Sequence, residues 1–216
     1  MNFLSHHALA RQLSPDEPPL FYAGNLLPDW LGISREGGVK KQHLEGKAGA
    51  LAEGARLHLA TDQRFHADSA FVALCETAKV LLRPLPLNRV FFFAHVAVEL
   101  TMDAQLLRTD PTHATDLFTR LALCLPEIAP EAAHLLERGA LPELAGVAER
   151  FVEYRWILAY ETDAGLARRL MQLGARLGIT TLDPENQQAL TDVFTQLYLS
   201  VAPETAGLIS RSAPVF

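Results

Sequence analysis

Two stretches of the sequence place histidine and acidic side chains at intervals of four residues, about one turn of an α-helix. The two triplets are His58, Asp62 and His66, and His95, Glu99 and Asp103. Residues at i and i+4 share a helix face, whereas i+8 is rotated by roughly 80° in total and serves a different part of the same pocket. Imidazole and carboxylate together are ligands for zinc, manganese or iron. The spacing therefore predicts a metal site between two facing helices.

The first triplet continues an apolar helix face. The hydrophobic members of that face are Leu44, Leu51 and Ala55, and His58 and Asp62 follow in register. Burying a carboxylate and an imidazole costs several kcal/mol unless they are paired or bound to a metal. A lone histidine on such a face is usually a core residue satisfied by hydrogen bonds. Two triplets in register favour metal ligation instead.

The second triplet lies on a predicted helix over residues 88–108 that is apolar on almost all sides, which is typical of a central helix. His95 and Glu99 therefore need partners. A hydrogen bond between these two side chains is the simpler alternative to a metal. That alternative leaves Asp103 unexplained unless its carboxylate lies near solvent.

Two polar positions near the start of the chain are further candidates. Residues 2–11 have helical spacing that puts His6 and His7 at the edge of, or inside, a packed surface. Asp29 directly follows Pro28, which tends to start or kink a helix. The Asp29 carboxylate is either part of a site or a helix N-cap, and both interpretations are open.

Composition and charge exclude several classes of protein. The chain has 216 residues, 49% of them hydrophobic, and a formal net charge of −6, so a surface that coats nucleic acid is not expected. The sequence has no run of about 18 apolar residues, so no membrane span is predicted. The N-terminus lacks the pattern of a signal peptide. Cys75 and Cys124 lie in apolar surroundings and are expected to be reduced and buried. We expect a cytoplasmic protein, and its apolar content allows a homodimer.

The element pattern indicates an all-α fold organised as a single helical bundle. Helices are predicted over residues 2–11, 40–65, 67–82 and 88–108, from about 112, and over 131–139, 142–160, 162–177 and 184–200. Pro126 and Pro130 are expected to bracket a loop, and Asp183-Pro184 and Ala202-Pro203 to mark helix starts. We expect residues 1–108 to hold the metal-site core, 109–205 to complete the bundle and 206–216 to form a tail.

Three segments resemble the acyl carrier protein phosphodiesterase family in their order and spacing. They are Met1-Asn-Phe-Leu-Ser-His6, Gly24-Asn-Leu-Leu-Pro-Asp29-Trp30 and Leu57-His58-Leu-Ala-Thr-Asp62-Gln-Arg-Phe-His66. The resemblance covers about the first half of the chain. It implies an HD-domain-like helical fold and a divalent-metal phosphodiesterase that releases 4′-phosphopantetheine from holo acyl carrier protein. It makes acyl carrier protein, or another phosphodiester substrate, the expected partner.

The positions that match the family's polar motifs are His6, Asp29, His58 and Asp62. His95 lies where the family has an Asp-His pair, but Ala94 precedes it here. Glu99 or Asp62 is a candidate to replace the missing carboxylate. The departure keeps a second interpretation open, namely a metal-binding homologue without catalysis or a ligand-binding helical module.

These observations lead to expected roles for individual side chains. The expected ligands of a manganese, iron or zinc ion are His58, Asp62, His95, Glu99, Asp29 and His66, with His58 and His95 sharing one site. The expected catalytic residues are Asp29, Asp62 and His6. A carboxylate that is not a ligand would activate water, and His6 or His7 would protonate the leaving oxygen. Lys40, Lys41 and Arg64 are candidates to neutralise phosphate charge, although all three are surface residues by default.

Overall fold

The protein is described here by a computed structural model that covers residues 1–178 and 185–214. These residues contain helices and turns but no strand, so the prediction of an all-α fold is confirmed. The α-helices are α1 (Phe3–Leu13), α2 (Pro19–Gly24), α3 (Leu27–Ser34), α4 (Lys41–Leu44), α5 (Ala50–Ala67), α6 (Ser69–Leu82), α7 (Val90–Thr109), α8 (Thr112–Leu135), α9 (Pro142–Tyr154), α10 (Asp163–Arg176) and α11 (Glu185–Arg211). A 3-10 helix, Trp156–Glu161, precedes α10. The HD-domain-like arrangement of these helices stays a prediction.

The long helix predicted over residues 40–65 is interrupted. It divides into α4 and α5, and the connection contains Gly46 at φ 67° and Gly49 at φ 109°. These left-handed backbone conformations are accessible to glycine at little cost and are incompatible with a continuous right-handed helix. The prediction of one helix is therefore wrong between Leu44 and Ala50, while the part that carries the first triplet is helical.

The predicted loop between Pro126 and Pro130 is also wrong, because α8 runs through both prolines. Each proline removes one backbone donor from the helix. Both prolines are exposed, and the residues of the opposite face are buried, among them Leu121, Cys124 and Ile128. Burial of this apolar face keeps the segment helical despite the lost hydrogen bonds.

Two helix boundaries in the second half of the chain differ from the prediction. Helix α9 ends at Tyr154, where Arg155 adopts φ 45°, so residues 142–160 are not one helix. Helix α11 continues through Pro203 to Arg211 and takes in half of the expected tail. The predicted helix start at Asp183-Pro184 lies outside the described residues.

The chain divides into two compact units, and each is described separately. The α1–α3 unit consists of Phe3–Arg64, Thr112–Trp156 and Ala213–Phe216, and the α6–α7 unit consists of Met1–Asn2, Phe65–Pro111 and Ile157–Ser212. Each unit combines early and late segments of the chain. The expected division of one domain near residue 108 stays a prediction.

The core of the α1–α3 unit is built around the ring of Phe151 on α9. Its ring centroid lies 4.9 Å from that of Phe3, 5.5 Å from Trp30 and from Phe118, and 5.0 Å from Trp156. All but Trp156 belong to the buried core. Aromatic contacts in offset or edge-to-face geometry thus hold α1, α3 and α8 against α9.

The α6–α7 unit packs α6, α10 and α11 around α7. In the described part of the chain, α7 is the one helix long and apolar enough to cross a membrane by length and composition alone. Just over half of its most apolar stretch is buried in the structure, and core helices of soluble proteins meet the same criteria. Cys75 on α6, like Cys124 on α8 in the other unit, is buried and forms no disulfide, as expected.

Candidate metal centre

Backbone contact between α2 and α5 sets the position of His58. A Cβ atom at Gly24 would overlap the backbone carbonyl of Leu51, and one at Gly54 would overlap that of Phe21. The two helices therefore approach each other where neither carries a side chain. This brings the carbonyl oxygen of Asn25 to 2.8 Å from Nδ1 of His58.

The Asn25 carbonyl also determines which nitrogen of His58 is available. A carbonyl oxygen only accepts hydrogen bonds, so Nδ1 carries the proton and donates it to Asn25. Nε2 of the neutral imidazole then has a free lone pair, the arrangement found in histidines that bind metals. Nε2 lies 3.9 Å from Oδ1 of Asp29. The N-cap residue of α3 is Leu26, so Asp29 lies within the first turn and the N-cap interpretation is wrong.

His6 on α1 completes this group. Its ring stacks on that of His58 with centroids 3.9 Å apart and an interplanar angle of 17°. Nε2 of His6 lies 3.8 Å from Oδ1 of Asp62, and the Asn25 side-chain amide donates to the His6 carbonyl oxygen at 2.9 Å. Asn25 therefore contacts both histidines, one through its backbone and the other through its side chain.

The two histidines of this group are buried more deeply than its two carboxylates. The side chains of His6 and His58 are 0% and 5% exposed, whereas those of Asp62 and Asp29 are 31% and 33% exposed. The imidazoles form the floor and the carboxylates the solvent-facing rim.

The donor atoms of His6, Asp29 and His58 are arranged so that one ion can be held between them. One donor atom from each lies within 4.8 Å of the others. Two donors about 2.1 Å from a common ion lie about 3.0–3.4 Å apart at bond angles of 90–110°, so these donors would have to move closer together to coordinate an ion. Oδ1 of Asn25 is buried and has no hydrogen-bond partner among the described residues.

A second group lies in the α6–α7 unit and consists of His66, His95 and Glu99. Oε1 of Glu99 is 3.1 Å from Nε2 of His66, 3.2 Å from Nε2 of His95 and 3.1 Å from the amino group of Met1. Burial alone would raise the pKa of Glu99. The Met1 ammonium and the hydrogen bonds to both histidines outweigh it and hold the pKa well below its usual range.

Among the predicted ligands, the structure brings His58 together with His6 and Asp29, and His95 together with His66 and Glu99. The expected sharing of one site by His58 and His95, and the role of each residue as a metal ligand, stay predictions. Asp103 belongs to neither group, and the alternative that it lies near solvent is wrong because it is fully buried on α7.

Asn25 was not identified from the sequence as a site residue, whereas His7 was a candidate proton donor beside His6. Asn25 lies inside the quoted Gly24-to-Asp29 segment, and that proximity was the only signal. His7 is buried, and its Nε2 lies 2.9 Å from Oδ2 of Asp116 on α8. Burial lowers the pKa of His7 to about 4, although Asp116 opposes the shift. Since His7 faces Asp116, the other candidate, His6, is the histidine that lies near Asp62.

Two of the three predicted phosphate-binding residues line a cavity. Lys41 and Arg64 border a cavity of about 500 Å³ between α4 and α5, whose lining also includes Leu44 and Leu59. His58 and Asp62 are not among its lining residues. A role for these cations in binding phosphate stays a prediction.

Comparison with known proteins assigns the family. The profile for acyl carrier protein phosphodiesterase matches residues 1–201. The chain belongs to the acyl carrier protein phosphodiesterase family. The match reaches well beyond the first half of the chain that carries the quoted segments, into α11. No curated protein and no solved structure matched the chain.

Proposed function

We propose that this member of the acyl carrier protein phosphodiesterase family is a divalent-metal-dependent hydrolase that cleaves the phosphodiester between 4′-phosphopantetheine and a serine of holo acyl carrier protein. The observation that carries the proposal is the meeting of four side chains from three helices, which we call the hydrolytic group: His6, Asp29, His58 and Asp62. The family match supports the substrate class.

His6, Asp29 and His58 are the residues that would hold the ion. Their two imidazoles and one carboxylate suit manganese, iron or zinc. When bound there, a divalent ion supplies a Lewis acid that polarises a phosphoryl oxygen and lowers the pKa of a bound water. The backbone carbonyl of Asn25 accepts the hydrogen bond from Nδ1 of His58, which leaves Nε2 as the ligand atom of the neutral ring.

Asp62 is the carboxylate that we assign to proton transfer. Its Oδ1 lies on the partly exposed rim, 3.8 Å from Nε2 of His6, where a water molecule and the substrate phosphate have access. Oδ1 takes a proton from the attacking water as the new P–O bond forms. The same proton is available to the departing serine oxygen as the old P–O bond breaks, so the products are 4′-phosphopantetheine and a free serine hydroxyl.

The test is direct. Purified protein loaded with manganese is incubated with holo acyl carrier protein, and the mass of the carrier protein is measured by intact-mass spectrometry. We expect the loss of the 4′-phosphopantetheine mass. Asp62→Asn is expected to lower the rate by 10²–10⁴-fold, as about that factor comes from general acid–base catalysis, while leaving the metal bound.

Asp16→Asn is the matched control, since Asp16 is exposed in the turn after α1 and outside the hydrolytic group. It should retain the wild-type rate. Metal-loaded wild type that releases nothing from the carrier protein, even at equimolar enzyme, would contradict the proposal. Bound metal without release would favour the alternative of a non-catalytic metal-binding module.

A further inference from the structure

We propose that His66, His95 and Glu99 form a second divalent-metal site, distinct from the hydrolytic group. Its donor atoms are Nε2 of His66, Nε2 of His95 and Oε1 of Glu99. The site belongs wholly to the α6–α7 unit, which includes residues 65–111. Its class is a site for a first-row transition ion with two imidazoles and one carboxylate.

The spacing of the donors carries the proposal. Oε1 of Glu99 lies 3.1 Å from Nε2 of His66 and 3.2 Å from Nε2 of His95. Donors about 2.1 Å from a common ion are about 3.0–3.4 Å apart at angles of 90–110°. The distances on both sides of Glu99 already fall in that range, so the side chains need little movement to coordinate an ion. Binding would require each Nε2 to give up the proton that it donates to Glu99.

The surrounding elements orient these side chains. His95 and Glu99 lie one turn apart on α7, and His66 is in the last turn of α5. The ring of Phe71 on α6 packs edge-on against both imidazoles, with centroids 5.3 Å from His66 and 5.1 Å from His95. Aromatic packing that fixes ligand rings in advance lowers the cost of ordering them when an ion binds.

An ion at this site would compete with the Met1 ammonium. The amino nitrogen lies 3.1 Å from Oε1 of Glu99, so a divalent ion would have to displace it from the carboxylate. His66 and His95 are 33% and 32% exposed, which leaves a route for an ion from solvent.

The role that fits this site is structural. Glu99 is the sole carboxylate in the group, and as a ligand it would not be free to activate water. An ion bound here would join the last turn of α5 to α7 and so stabilise the fold. By mass action, its binding to the folded state raises the Tm in proportion to the logarithm of the metal concentration.

Metal stoichiometry tests the proposal. Untagged protein is purified without chelator, loaded with manganese or with zinc, dialysed, and analysed by plasma mass spectrometry. We expect two ions per chain in wild type, one in His95→Ala, one in His58→Ala and none in the double variant. Glu99→Gln keeps the side-chain shape and should also bind one ion, and it carries the test if His95→Ala fails to fold. His134→Ala removes an exposed histidine on α8 and should still bind two.

The outcomes separate this proposal from the proposed function. A single ion that both His58→Ala and His95→Ala lose would overturn the second site in favour of one shared centre. A single ion that His95→Ala retains would overturn the second site and leave Glu99 as the partner of the Met1 amine and the two histidines. A single ion that His58→Ala retains and His95→Ala loses would support the second site and contradict the hydrolytic centre instead.

Discussion

Gly54→Ala tests whether backbone contact between α2 and α5 positions His58. The added Cβ would overlap the carbonyl oxygen of Phe21 and lie 2.8 Å from the nitrogen of Asn25, whereas an ordinary C···O contact is about 3.3 Å or longer. Because both obstacles are backbone atoms, the helices must move apart by roughly 1 Å or more. Overpacking of this kind costs about 3 kcal/mol at the upper end of the usual range, and the better helix propensity of alanine returns about 1 kcal/mol.

We therefore expect Gly54→Ala to lose about 2 kcal/mol of unfolding free energy, which lowers the Tm by about 4–8 °C for a chain of this size. Metal affinity should fall as well, because the Asn25 carbonyl moves away from Nδ1 of His58. The assays are thermal and urea unfolding followed by circular dichroism, and titration with zinc.

Gly32→Ala is the matched control. Gly32 is exposed on α3, and a Cβ there would meet nothing within 4 Å. Gly32→Ala therefore gains only the better helix propensity of alanine, so the Tm should rise by about 1–4 °C. If Gly54→Ala proved as stable as Gly32→Ala, the inferred contact between α2 and α5 would be refuted.

Three further predictions concern packing, pH and thiol reactivity. Phe151→Ala should cost about 3–5 kcal/mol in urea unfolding because it empties the centre of an aromatic cluster; a cost below about 1 kcal/mol would show that the cluster does not hold the helices. Asp68 caps α6, and its hydrogen bond from Arg211 lowers its pKa, so Asp68→Ala should cost about 1 kcal/mol at neutral pH. That stabilisation is present above the ordinary value of 3.8 and is lost as the pH falls below it, so the stabilities of variant and wild type should converge in acid; a constant difference would refute this assignment. Burial raises the pKa of Cys75 and Cys124 to about 11, so Ellman's reagent at pH 8 should react with neither until the protein unfolds, and rapid labelling of the native protein would contradict their burial.

The helices were predictable where an apolar stripe at helical spacing had no competitor, as in α6 and α7. Prediction failed where backbone effects and burial compete. Gly46 and Gly49 interrupt a helix that the side-chain pattern would continue. Their left-handed backbone angles are visible only in the structure. Pro126 and Pro130 are expected to end a helix, but α8 continues through both. Burial of the opposite face compensates for the lost hydrogen bonds.

The candidate site was predictable in its chemistry more than in its grouping. Spacing identified His58 and Asp62 on α5, and the quoted segments added His6 and Asp29. Their meeting depends on contacts between α1, α3 and α5, which are distant in sequence and leave no periodic signal.

The partners of His58 and His95 were not predictable for a related reason. Helical spacing places residues on a face, but it does not say which neighbouring helix that face meets. The i+8 position, His66, is rotated from His58 by roughly 80°, and it is this residue that lies beside His95.

The two hydrogen bonds of Asn25 to the histidines use different parts of the residue, and a substitution affects these parts differently. The contact with His58 uses the backbone carbonyl and is retained by any residue that preserves the turn, whereas the contact with His6 uses the side-chain amide. Replacement of Asn25 by alanine would thus remove the hydrogen bond to the backbone carbonyl of His6 and leave the His58 imidazole in its tautomer. A homologue with another side chain at this position can therefore keep the ligand nitrogen of His58 while it loses the bond that ties α2 to the α1 backbone beside His6.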